Sequence, residues 1–125
     1  MARSAHFVVP WFTADIDPTP AGASAAASQL DGFAGRYGVG PDVRRRLTAI
    51  TIKMVTALGD ASTPVTLEAD IDQGNLQVVL TQQRGSRAAV QAALARLPTL
   101  THDGEGFDAR RDGGAVEVWL CLPLA

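Results

Sequence analysis

Cysteine is almost missing from this chain. Cys121 is its only one, so no internal disulfide can form and no cysteine-based zinc cage can be built. That fits a reducing cytoplasm, which is the expected location. Basic residues are not in excess: 11 Lys and Arg stand against 13 Asp and Glu, giving a net charge of -2 and a pI near 5.5. They are scattered apart from Arg44, Arg45 and Arg46, so the footprint that counterion release on nucleic acid requires is lacking and nucleic acid is not an expected partner. Long apolar runs are also missing. No window approaches the roughly twenty apolar residues of a bilayer span, so no membrane insertion is expected. The start, MARSAHFVVPWF, has no long h-region and no small-residue cleavage site, and it reads as a first strand. Internal repeats and low-complexity linkers are absent beyond an alanine-rich stretch from Ala21.

What is present is a globular composition, with 46% hydrophobic and 19% charged residues, too apolar for a disordered chain. At 125 residues it suits one domain, expected to occupy 1–125. Phe7 to Phe12 is rich in β-formers, and Asp15, Asp17, Pro18 and Pro20 are turn formers that close the strand and open a helix. Leu30, Phe33, Ala34 and Tyr37 fall on one helical face, and Gly38 and Gly40 end that helix. Pro41 and Asp42 restart a helix whose apolar stripe is Val43, Leu47, Ile50, Met54 and Leu58, with Val55 beside it, up to Gly59.

Val65, Leu67, Ala69 and Ile71 alternate with Thr66, Glu68, Asp70 and Asp72, then Gln73-Gly74-Asn75 turns the chain into Leu76, Val78 and Leu80. The pattern is a β-hairpin with one face buried. Ser86 can cap a short helix with Val90, Ala93, Leu94 and Leu97 inward and Pro98 as its stop. A polar loop holding Asp103, Gly104, Glu105 and Gly106 leads to a short strand at Phe107 to Ala109. Gly113-Gly114 then turns into Ala115 to Leu122, expected to be a central strand covered on both faces. Helices and strands that come in blocks specify an α+β two-layer sandwich: a mostly antiparallel sheet with two long helices and one short helix on one face.

This order, with the segments VRRRLTAITIKMVTALGD, VTLEADIDQGNLQVVLTQ and GGAVEVWLCLPLA, resembles the histidine-kinase-like ATPase fold, in particular the small bacterial anti-sigma-factor kinases. The resemblance implies a central helix carrying a glutamate and, four residues on, an asparagine that coordinates the Mg²⁺ of ATP. Here those places hold Lys53 and Ala57. A lysine cannot serve as a carboxylate base at neutral pH without an extreme pKa shift, and alanine offers no oxygen to a hard cation. The family's next box, Asp-x-Gly-x-Gly, receives the adenine amino group; the matching stretch runs from Thr81 to Arg87, with Gln83 in place and only Gly85 kept. The glycine-rich lid would lie just before the short helix, where Ser86 to Val90 has neither glycines nor extra length. The resemblance therefore implies a degenerate relative without a nucleotide cofactor, working through protein contacts with a sigma factor or its antagonist. Folds host many functions, so this part of the expectation is analogy.

Other candidates have plainer readings. Gly35, Gly38 and Gly40 sit near a helix start, but their spacing is not a phosphate-binding fingerprint and a helix-helix turn explains them. Glu68, Asp70 and Asp72 share a strand face that reads as solvated, as do Asp103, Glu105 and Asp108. His6 and His102 are too far apart in sequence to suggest a metal pair or triad, and Cys121 reads as a buried small hydrophobe. Arg44 and Arg45 are candidate contacts to an acidic partner, though Arg44, Arg45 and Arg46 cannot share one helical face. Trp11, Phe12 and Trp119 would anchor an interface if exposed, against the ordinary expectation of core packing.

The favoured function is a non-catalytic regulatory module, rather than an enzyme, that binds a protein, with a second copy of itself in a homodimer as an additional candidate partner. The alternative is a small-ligand or nucleotide-binding enzyme relative with a displaced site, which calls for a deep pocket of convergent polar side chains. A third reading is a structural subunit whose edge strand, Phe7 to Phe12, pairs with another copy.

Overall fold

The computed structural model describes residues 11–58, 63–83, 105–112 and 114–124, with isolated helical positions at 88, 91 and 95. The elements are β1 (Trp11–Ile16), α1 (Pro20–Arg36), α2 (Pro41–Leu58), β2 (Val65–Asp72), β3 (Asn75–Gln82), β4 (Gly106–Asp112) and β5 (Ala115–Pro123). The five strands form one sheet in the order β1-β2-β3-β5-β4, and every neighbouring pair is antiparallel. The helices lie on one side of it, giving the α+β two-layer sandwich expected from the sequence.

Local chemistry sets the helix ends. Thr19 caps α1: its Oγ1 accepts from the Gly22 N–H at 3.1 Å, and Pro20 follows where its missing N–H costs nothing. At the other end Gly38 has φ +80°, the Val39 N–H donates to the Ala34 carbonyl at 3.0 Å and the Gly38 N–H to the Gly35 carbonyl at 3.2 Å. These two bonds form a Schellman closure, which needs a residue at ease in the left-handed region. The glycine run between the helices is therefore a connector. Pro41 and Asp42 then open α2 as its composition requires.

The core is a single cluster that joins Leu30 and Phe33 of α1, Leu47, Ile50, Met54 and Leu58 of α2, and the inward residues of all five strands. Alanines carry much of the helix packing: Ala23, Ala26, Ala27 and Ala34 are all buried, which lets α1 approach closely. Phe33 stacks at a tilt on Phe12 of β1, with ring centroids 5.6 Å apart. Burying one such large apolar side chain is worth about 1.5–3 kcal/mol.

Four expectations need correcting. The first strand does not close at Phe12. It runs on through Asp15 to Ile16, because Phe12, Ala14 and Ile16 alternate inward against Ala69, Leu67 and Val65 of β2; residues 7–10 of the expected strand lie outside the described residues. The last strand is not covered on both faces: Val116, Val118, Leu120 and Leu122 are buried, whereas Trp119 is exposed and Glu117 and Cys121 are half-buried. Its alternation was the stronger signal than its overall apolarity. The strand expected at Phe107 to Ala109 spans Gly106–Asp112, paired along its whole length with β5. The hairpin turn is tighter than expected, with Gln73 (φ +52°) and Gly74 (φ +78°) alone between the paired Asp72 and Asn75. Two positive φ values match the right-handed twist of the flanking strands. As for the short helix, Ala88, Gln91 and Ala95 are helical and exposed, and Ser86, its inward residues and Pro98 lie outside the described residues.

Candidate functional site

The positions of the nucleotide boxes come first. Lys53 sits on α2 and is exposed, on the side away from the buried stripe of Leu47, Ile50, Met54 and Leu58. Ala57 lies one turn further along the same helix. Gln83 is exposed in the turn that ends β3. Gly85, the lid region, His6 and His102 lie outside the described residues. Among the described residues no three His, Cys, Asp or Glu side chains converge as metal ligands, so Glu68, Asp70 and Asp72 form a face and not a cage.

The three arginines of α2 point to three different partners, as the helical rotation requires. Arg44 Nε lies 3.8 Å from Asp31 Oδ1 of α1, and Arg45 Nη2 donates to Asp42 Oδ1 at 2.8 Å in an exposed pair. Arg46 makes the strong contact, donating through Nε and Nη2 to the two carboxylate oxygens of Glu105 at 3.0 and 2.6 Å. Glu105 therefore corrects the reading of its loop as solvated: its side chain is 10% exposed and its carboxylate is held in a two-pronged bond. Arg44 and Arg45 also line an open groove of about 390 Å³ between the helices, with Ala27, Ser28, Asp31, Pro41 and Thr48.

On the opposite side the sheet presents an outer face that neither α1 nor α2 covers, the helices among the described residues. Register fixes its rows. Trp11 stands beside Asp70, Gln77, Cys121 and Gly106; Thr13 beside Glu68, Val79, Trp119 and Asp108; Asp15 beside Thr66, Thr81, Glu117 and Arg110. Trp11 is 59% exposed and Trp119 38%, which overturns the expectation that both pack in the core. Phe12 keeps that role. Thr66 Oγ1 donates to Asp15 at 3.1 Å, and Arg110 Nε donates to Glu117 at 3.0 Å while its guanidinium lies 5.6 Å from the Trp119 ring centroid. This cation-π contact ties the indole to the neighbouring strand.

Charge on this face is one-sided. Asp15, Glu68, Asp70, Asp72, Asp108 and Glu117 project from it, and Arg110 is the one described cation among them. The field shows at Asp70, whose pKa is raised above the ordinary carboxylate value by burial first, then by the neighbouring charges of Asp72 and Glu68. Its Oδ1 is buried without a hydrogen bond among the described residues. Beside Trp119 the face dips into a shallow cleft of about 320 Å³ lined by Gln77, Gly106, Phe107, Asp108, Leu120 and Cys121. Cys121 is half-buried on the cleft side and so is not the core hydrophobe expected of it.

The sequence reasoning named Trp11, Trp119, Arg44 and Arg45, and the structure divides them between two faces. It leaves out Arg110 and Glu117, and places Asp108 in a solvated acidic loop and not beside Trp119. The signal that could have found them is the two-residue period of Ala115–Pro123, continued into its hairpin partner.

No protein-family model matches this chain, and no curated protein does. Among solved structures its fold is similar to that of the RsbU and RsbW domains of Rv1364c from Mycobacterium tuberculosis, with a TM-score of 0.61 at 14% sequence identity. The similarity covers 92% of this chain and 32% of that one, so this chain spans about a third of the length of its neighbour. At that identity the likeness is one of fold, the layering of two helices on a five-stranded antiparallel sheet.

Proposed function

We propose that this chain is a non-catalytic regulatory module that binds a protein, built on an ATPase-like scaffold whose nucleotide boxes have been lost. The reading is supported by the fold likeness to a chain bearing RsbU and RsbW domains and, above all, by Lys53 standing exposed on α2 where the histidine-kinase-like ATPases carry a carboxylate. A cation there repels Mg²⁺, and Ala57 offers the metal no oxygen. By analogy with the anti-sigma-factor kinases the partner is a sigma factor or its antagonist, in a bacterial cytoplasm.

The test is the melting temperature of the purified protein with ATP or ADP and Mg²⁺, because a ligand that binds only the folded state must raise it. The expected result is no shift at millimolar nucleotide. A clear rise would return the chain to the nucleotide-binding class with relocated contacts.

A further inference from the structure

We propose that the outer face of the sheet, from Trp11 across to Trp119, is a docking surface for a cationic protein segment that carries a large apolar side chain among its arginines or lysines. The inference rests on the reading of the chain as a protein-binding module and names the surface and the chemistry of its partner. The argument starts from exposure. The two tryptophans of the chain both stand out from this one face, at 59% and 38% exposure, although burying an indole is among the largest apolar gains a side chain offers. Indoles on a flat, rigid sheet are the anchors that interfaces favour. Trp119 is moreover held in place by Arg110 and borders the 320 Å³ cleft, where Gly106 adds no side chain to fill the space over Cys121.

Charge then selects the occupant. The face carries its carboxylates on both sides of the Trp119 row, with Glu68 in that row two strands away, about 10 Å at the ordinary strand spacing. A segment that seats an apolar side chain in the cleft thereby brings its flanking cations over Glu68 and Asp72. Asp70 is already partly desolvated and crowded by like charges in the free protein, and a cation from a partner offsets that repulsion. The same sign excludes nucleic acid. It also disfavours a second copy presenting this face, since carboxylates would meet carboxylates.

The test uses the whole chain and a capped synthetic hexapeptide, a leucine-phenylalanine pair flanked on each side by two arginines, with glutamates replacing the arginines in its control. Because both tryptophans lie on the face, their fluorescence reports binding directly, and calorimetry supplies the affinity. Saturable binding of the arginine peptide alone is expected, weakened about tenfold or more by Trp119→Ala and by Glu68→Arg with Asp72→Arg. Arg45→Glu, on the helix side, should leave it unchanged. The charge variants alter exposed positions and remove charges that repel Asp70, so they should melt no lower than the parent and keep the test valid if Trp119→Ala folds poorly. No binding at millimolar peptide, equal binding of the glutamate control, or loss of binding only in Arg45→Glu would overturn the proposal. So would self-association that disappears in Arg45→Glu, which would make the occupant the helix layer of a second copy. A nucleotide-induced rise in melting temperature is read without peptide, so failure of the functional reading and failure of the docking face are told apart.

Discussion

The two faces of the sheet are made by the same strands, yet they share almost nothing. On the inner face Leu67, Val78, Leu80, Val116 and Val118 are fully buried; one residue along each strand, Glu68, Asp70, Val79, Glu117 and Trp119 meet solvent or one another. The contrast extends to charge. The described helices carry Arg36, Arg44, Arg45, Arg46 and Lys53 against Asp31 and Asp42, while the described side chains of the outer sheet face are six carboxylates and one arginine. Among the described residues a near-neutral chain thus sorts its charge into a basic side and an acidic side. Net charge alone describes neither, and a partner is selected by one side's field and not by the sum.

The sharpest way to break this contrast is to make matched truncations one residue apart. Leu67→Ala should cost about 2–5 kcal/mol in denaturant unfolding, by lost transfer energy and the cavity it leaves. Glu68→Ala on the other face of the same strand should stay within about 0.5 kcal/mol of the parent. Equal losses would mean that the outer face is covered. Next in size comes a comparison of ion pairs. Glu105→Ala leaves the half-buried Arg46 without its two-pronged carboxylate and should cost about 2 kcal/mol. Asp42→Ala breaks the exposed Arg45 pair and should leave the unfolding midpoint unchanged within error.

The smallest effect belongs to Asp70. Its native pKa lies above its unfolded value of 3.8, so the folded state holds that proton more tightly. The resulting stability is fully present below about pH 3.8 and is lost as pH rises through the raised native value, leaving a net cost at neutral pH. Asp70→Asn should therefore raise the melting temperature slightly at pH 7 and leave no gain at pH 3, when melting curves are compared across that range. A gain of the same size at both pH values would show that the charge is not the cause.

Much of the fold is legible in the sequence where a period is local. The stripe of α2 and the alternation of Val65 to Leu80 each announce one buried face, and each buries it. Two local signals compete elsewhere. Asp15 is a turn former by type, though its place in the alternation of Phe12, Ala14 and Ile16 makes it an outward strand residue. The apolarity of the last strand points to cover on both faces and so to a buried Trp119, yet its neighbours Val118 and Leu120 occupy the inward positions. The acidic, glycine-containing stretch around Glu105 reads as solvated, while its partner Arg46 lies 59 residues earlier.

The sequence by itself determined the layers. Periods of 3.6 and 2 residues are written in neighbouring side chains, and burial of the apolar face follows wherever the elements pack. Only the tertiary structure decided which side chains meet. Strand order β1-β2-β3-β5-β4 and its registers bring Trp11, Glu68, Trp119 and Asp108 onto one surface from four strands, and the packing of distant segments brings Arg44 to Asp31 and Arg46 to Glu105. Such meetings depend on pairings between distant segments, whose loop-closure cost and mutual fit no local pattern encodes.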